Sequence, residues 1–212
     1  DNYFIINNHF KCCGDGIIDF DDTSDEENRR YTAINLIKEY IDNNFSDKNV
    51  IVLGDLNDNI AEDPPNNVFQ NVLNDSAHYR FADFEIAQGN SSEWSFPNWP
   101  DHLDHILITD ELFNGLNNSV VQTIKIDDYL DGGWNAYDQN ISNHRPVAIK
   151  FNINFVPFYD INDDGIINES DFVMLLSWVI NDNGAIDLAD INSDSLVDIF
   201  DLLFFSDFLQ NM

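Results

Sequence analysis

The sequence predicts a layered α/β domain, an α+β sandwich, followed by a small all-α module. Three observations carry this expectation. Apolar runs at Tyr3–Asn8 and Val50–Leu53 flank a helix-length amphipathic stretch, Asp25–Phe45. An acidic loop that begins at Asp160 recurs 30 residues later at Asp190. All 9 lysines and arginines fall within residues 1–150, so the charge character of the chain changes there.

The elements follow in order. Tyr3–Asn8 (YFIINN) is a short apolar run bounded by polar residues and reads as a buried strand. Cys13–Ile18 holds two glycines and an aspartate, the composition of a turn. Across Asp25–Phe45, Ala33, Ile34, Ile37, Tyr40 and Ile41 recur at helical spacing, and Asp25, Glu26 and Glu27 suit the positive N-terminal end. Val50–Leu53 is a second buried strand ending at Gly54, which completes a βαβ-like pattern. Residues 58–103 carry four prolines and weak periodicity; Trp94 and Trp99 within them are expected to pack under a loop rather than line a groove. Ile106–Thr109, Val120–Ile126 and Pro146–Ile153 read as further strands, Phe155–Tyr159 as a linker, and Phe172–Ile180 and Leu202–Leu209 as apolar helices.

Composition bounds the function. Hydrophobic residues make up 43% of the 212, enough to bury a core, yet no run approaches the roughly 18 apolar residues of a membrane span. The formal charge of -30 repels polyanions and attracts cations, so binding nucleic acid would need a local basic patch or a bound metal. The same charge also reads simply as solubility in salty surroundings. Cys12 and Cys13 are the only cysteines. Adjacent Cα atoms sit about 3.8 Å apart, below the roughly 4.4 Å a disulfide prefers, so two free or buried thiols are expected over a strained vicinal disulfide. The chain opens at Asp1 without a signal peptide, which reads as a processed or cut piece of a longer protein.

The loop at 160 places oxygen side chains at positions 1, 3, 5, 9 and 12: Asp160, Asn162, Asp164, Asn168 and Asp171. Gly165 stands at the sharp turn of position 6, and Ile166 offers its carbonyl at position 7. A hard cation wants six to eight oxygens, and this spacing wraps them around calcium. The second copy supplies Asp190, Asn192, Asp194, the Leu196 carbonyl, Asp198 and Asp201, with Ser195 in place of the glycine. Two calcium ions are therefore expected, the second loop being the more strained. The tandem loop-helix units with Asp at position 12 resemble type I dockerin domains over about 157–212. The resemblance implies docking onto a cohesin domain. Positions 10 and 11, Glu169-Ser170 and Ile199-Phe200, depart from the family's Ser/Thr pair.

In residues 1–153, polar groups cluster at strand ends: Asn7-Asn8-His9, Gly54-Asp55-Leu56-Asn57, Leu103-Asp104-His105 and Ser142-Asn143-His144-Arg145-Pro146-Val147. Singly, His9 or His144 reads as a structural histidine and Asp55 with Asn57 as a turn. Their order resembles the endonuclease/exonuclease/phosphatase superfamily, the fold of DNase-I-like nucleases and sphingomyelinases. The strings around Asn7–Gly16 and His102–Ile108 look like secreted bacterial members. The resemblance implies a DNase-I-like sandwich whose N-terminal half lies outside this chain, an extracellular setting, and hydrolysis of a phosphodiester (nucleic acid, lipid or small molecule) with magnesium or another divalent metal. It makes His144 the general base, Asp104 its orienting carboxylate, His9 and Asn57 phosphate donors, Asp55 the group that places water or protonates the leaving oxygen, and Asn143 a metal ligand. The family keeps Asp where Asn143 stands, and that departure supports the alternative of a non-catalytic, calcium-dependent adaptor built on a degenerate hydrolase domain.

Overall fold

The computed structural model describes residues 2–116, 119–151, 159–162, 164–181, 189–191 and 196–211. The chain divides into two compact units, Asp1–Asn152 and Ile153–Met212. It is a mixed α/β protein with two small sheets and seven α-helices among the described residues.

In the first unit β1 (Tyr3–His9), α1 (Glu26–Asn44) and β2 (Asn49–Asp55) form a βαβ crossover with β1 and β2 parallel, Tyr3 facing Asn49 and His9 facing Asp55. Helix α1 starts where Asp25 accepts the Asn28 N–H at 2.6 Å, an N-cap that satisfies a free amide of the first turn. After α2 (Gln70–Asn74), the strand β3 (Tyr79–Phe81) and α3 (Phe84–Ala87) lie in the stretch that has weak periodicity. Three residues are too few for a period-2 pattern to stand out, so this strand was not legible in the sequence. Strand β4 (Asp104–Thr109) then runs antiparallel to both β2 and β3, giving the order β1-β2-β4-β3.

A helix α4 (Phe113–Leu116) leads to β5 (Val120–Thr123); α5 (Gly133–Asn140) precedes β6 (Val147–Lys150), and β5 and β6 pair as a separate two-stranded sheet. Both strands are shorter than their apolar runs: beyond Thr123 the chain turns into a 3₁₀ segment at Ile126–Tyr129. The core between α1 and the four-stranded sheet is built from Ile34, Ile41, Val50, Val52, Leu56, Phe69, Phe81 and Leu107. Ile51, Ile106, Ile108 and Leu112 bury the opposite face against Val147 and Ile149. The central strands are thus covered on both sides, which explains their near-continuous apolar sequence.

The second unit pairs α6 (Glu169–Asn181) with α7 (Ile199–Asn211) around Ile161, Leu175, Ala189, Leu202 and Phe205. Tyr159 stacks on Phe208 at 4.0 Å, so this residue belongs to that core and not to a linker; the rest of the expected linker, 155–158, lies outside the described residues. Both helices begin three residues earlier than their apolar runs, because the loop caps them. Among the described residues no helix is long and apolar enough to cross a membrane.

Candidate functional site

Strand register assembles the first site. The parallel pairing of β1 and β2 sets His9 beside Asp55, and the antiparallel pairing of β2 and β4 sets Asp55 beside Asp104. Three polar residues from distant sequence therefore meet at one end of the sheet. His9 Nε2 lies 3.5 Å from Asp55 Oδ2. His144, from the loop before β6, brings Nδ1 to 2.7 Å from Asp104 Oδ2 and Nε2 to 3.9 Å from Asp55 Oδ2. Its ring rests on Phe96, centroids 4.8 Å apart. Because a carboxylate only accepts, Asp104 fixes the proton on Nδ1 of neutral His144 and leaves Nε2 as a lone pair in the cleft.

Electrostatics follow from this packing. The hydrogen bond that His144 donates to Asp104 raises the histidine pKa above its ordinary value, with burial opposing. Burial, and then the nearby charge of Asp104, raise Asp55 above the usual carboxylate range. Asn57 occupies the left-handed region at φ 57°, a conformation asparagine tolerates. Its N–H donates to Asp55 Oδ1 at 3.1 Å, and its amide donates one hydrogen to the Phe10 carbonyl at 3.2 Å, keeping the other free. Asn143 is exposed on the wall of the same cleft.

The cleft encloses ≈ 750 Å³ and is lined by His9, Asp55, Asn57, Asn143 and His144 together with Cys12, Cys13, Asp58, Glu62 and Trp99. Trp99 is 79% exposed, so it lines the groove rather than packing under a loop. Trp94 behaves as expected, donating its indole N–H to the Ile86 carbonyl at 3.0 Å. Burial, followed by the charges of Asp58 and Asp101, pushes Glu62 up to about 7. A second hollow, of ≈ 730 Å³, lies between α2, β3 and β5; its apolar lining of Val72, Phe81, Leu116 and Val121 offers no comparable group of ionisable side chains.

Behind the cleft stands a network that sequence reasoning missed. Asp83, His102 and His105 are buried. Asp83 accepts from His102 Nε2 at 3.0 Å, from His105 Nδ1 at 2.6 Å and from the Ile106 N–H at 2.8 Å. His105 Nε2 faces the Asp58 carbonyl at 2.8 Å. Both neighbours of His105 are pure acceptors, so both of its nitrogens carry protons and the ring is an imidazolium. Burial opposes that charge, but the Asp83 carboxylate outweighs it and raises the His105 pKa. In turn burial raises Asp83, and the two imidazoles outweigh it and hold the carboxyl far below its usual range. His102 Nδ1 accepts the Ser95 N–H at 3.2 Å. Ser95 continues the network: its Oγ accepts from the N–H groups of Leu103 and Asp104, both at 3.1 Å, and its carbonyl accepts from Arg145 N–H at 2.7 Å. One buried serine thus ties the start of β4 to the loop that carries His144.

Three groups among the described residues could hold a metal ion: Asp83, His102 and His105; Asp55, Asp104 and His144; Asp25, Glu26 and Glu27. In the first, His102 accepts at Nδ1 and so presents a proton, not a lone pair, at Nε2; that group is a closed hydrogen-bond network. The second opens onto the cleft. Magnesium takes oxygen ligands, and Asp55 and Asn143 offer oxygens there while Asp104 is committed to His144.

In the second unit the first loop is curled by its own carboxylates. Asp160 accepts the N–H groups of Asp164 at 3.1 Å and Gly165 at 2.8 Å, Asp164 accepts that of Ile166 at 2.8 Å, and Gly165 sits at φ 81°. Asp171, fully buried, accepts from Asn162 N–H at 3.1 Å and from Asn168 N–H at 2.9 Å, while Asn168 accepts from Ser170 N–H at 2.7 Å. Asn168 and Asp171 therefore form a reciprocal cap on α6. The second loop repeats the cap: Asp201 accepts from Asp198 N–H at 2.8 Å, and Asp198 accepts from Phe200 N–H at 2.7 Å. Ile166 and Leu196 keep their side chains exposed, and the Ile166 carbonyl accepts from the Asn168 amide at 3.0 Å. Asp190 is described; Asn192, Asp194 and Ser195 lie outside the described residues. No protein-family model matches the chain, and no curated protein matches it.

Proposed function

We propose that the first unit is the C-terminal part of a DNase-I-like, metal-dependent phosphodiester hydrolase, and that the second is a calcium-binding module of the dockerin type that tethers it outside the cell. The observation that carries the reading is the His144–Asp104 pair at 2.7 Å, with Nε2 turned toward Asp55 in the cleft. Asp104 orients the imidazole, and Nε2 of His144 takes the proton of an attacking water, leaving positive charge on the ring opposite a carboxylate. His9, when protonated, and the free amide hydrogen of Asn57 donate to the phosphate oxygens, which gain charge as the water adds. Asp55 places the attacking water or protonates the leaving oxygen. Asn143 would hold magnesium through its side-chain oxygen, and the metal would offset the phosphate's charge. The acidic surface favours a small or lipid phosphodiester over long DNA, and a cohesin domain is the partner proposed for the second unit.

The test is hydrolysis of bis(4-nitrophenyl) phosphate by the full-length protein in magnesium. His144→Ala is expected to lose about 10²–10⁴-fold in rate with folding intact. An unchanged rate would return His144 to a structural role. Asn143→Asp separates the two readings: an enzyme then needs less magnesium for half its maximal rate, whereas a degenerate adaptor starts from no activity.

A further inference from the structure

Successive side chains of an extended chain project to opposite faces, which ordinarily keeps neighbouring cysteines apart. Cys12 and Cys13 do not follow this. Cys13 adopts φ 74°, a left-handed conformation that few side-chain-bearing residues take. With it the two Sγ atoms come within 2.8 Å of each other. The strained turn is held from below by buried Arg30. Its Nη1 donates to the Lys11 carbonyl at 2.9 Å and to the Cys13 carbonyl at 2.7 Å, gripping the backbone on both sides of Cys12. The guanidinium is in turn fixed by Asp58 at 2.8 Å and Glu27 at 3.1 Å. Gly14 follows at φ 110°, where a Cβ would fall 2.1 Å from Glu27 Oε1, so no larger residue fits the turn. Both thiols are free and exposed, and both line the cleft beside His9.

We propose that Cys12 and Cys13 are a reversible modification site, a vicinal dithiol that reacts with small-molecule disulfides and closes a disulfide ring at the mouth of the cleft. The Cys13 thiol is pushed up by its hydrogen bond with Cys12, and Lys11 Nζ lies 3.9 Å from the Cys12 sulfur. Cys12 therefore reacts first. Its thiolate attacks one sulfur of the small disulfide and expels a thiolate. The Cys13 thiolate then attacks Cys12 Sγ and expels the second. One protein disulfide forms, one small disulfide is reduced, and the two protons end on the two small thiols. Adjacent Cα atoms stand closer than an unstrained disulfide prefers, so the ring reopens readily with excess thiol.

The experiment incubates the intact chain in glutathione buffers of rising disulfide-to-thiol ratio, blocks remaining thiols with a maleimide and weighs the product. Expected is a direct passage from a chain carrying two maleimides to one carrying none and lighter by two hydrogens. Two maleimides at every ratio, or chains that keep glutathione, would overturn the proposal. Cys13→Ser removes the closing sulfur and is expected to accumulate one glutathione on Cys12; no adduct there would overturn the order of attack. The readout is a mass, so it stands or falls apart from any hydrolytic activity.

Discussion

Asp83 and His105 form an ion pair at 2.6 Å with neither side chain exposed to solvent, and His105 Nε2 meets the Asp58 carbonyl one residue past Asn57. Removing one partner of such a pair leaves a buried charge unmatched, at a cost of about 3–5 kcal/mol. Asp83→Asn should therefore lower the unfolding free energy of the first unit by that order in urea. The pair also sets a pH window. Asp83, depressed when folded, contributes stability above its unfolded pKa that is lost as pH falls through the folded one. His105, raised when folded, contributes stability below its unfolded pKa that is lost as pH climbs through the folded one. Wild type should lose stability at both ends, and Asp83→Asn should flatten both limbs.

The hydrogen bond between Asp104 and His144 raises the histidine pKa above its ordinary value. Hydrolysis that depends on neutral His144 should then fall as pH drops through a point above the usual 6.5. Asp104→Asn should shift the His144 ring titration to lower pH by NMR and weaken catalysis. A ring titration that does not move would remove Asp104 from its orienting role.

Burial and the nearby charges of Asp58 and Asp101 push the folded Glu62 carboxyl up to about 7, well above the ordinary glutamate range. A carboxyl whose pKa rises on folding binds more protons in the folded state, so stability should decline as pH climbs from the unfolded value toward 7. Glu62→Gln should remove that part of the slope and stabilise the protein in alkaline solution, as read from thermal unfolding at a series of pH values.

The second unit has 12 acidic and no basic residues over 151–212, which repel one another without a cation. Calorimetric titration of the chain should find two calcium sites. Asp160→Ala and Asp190→Ala should each weaken one of them, and the second loop, whose sequence has Ser195 in place of the first loop's Gly165, should be the weaker. Asp171→Ala should cost more than calcium affinity alone, since Asp171 also closes the cap of α6.

Most of what was legible in the sequence is local. The apolar runs of β1, β2 and β4 and the period of α1 report burial directly, and the proposed cation site around Asp160 could be suggested by spacing alone because its candidate ligands sit in one short segment. His9, Asp55, Asn57, Asn143 and His144 could be singled out by residue type at strand ends, and all five line one cleft. The string His102-Leu103-Asp104-His105 could not be divided by reading it. Successive residues of a strand face opposite ways, so Asp104 reaches His144 while His105 turns into the core. What decides the state of His105 is Asp83, 22 positions away in the chain and brought to it by the pairing of β3 with β4. Spacing within a segment is set by the chain itself. Which charge meets which across segments is set by strand register, and only the folded structure supplies that.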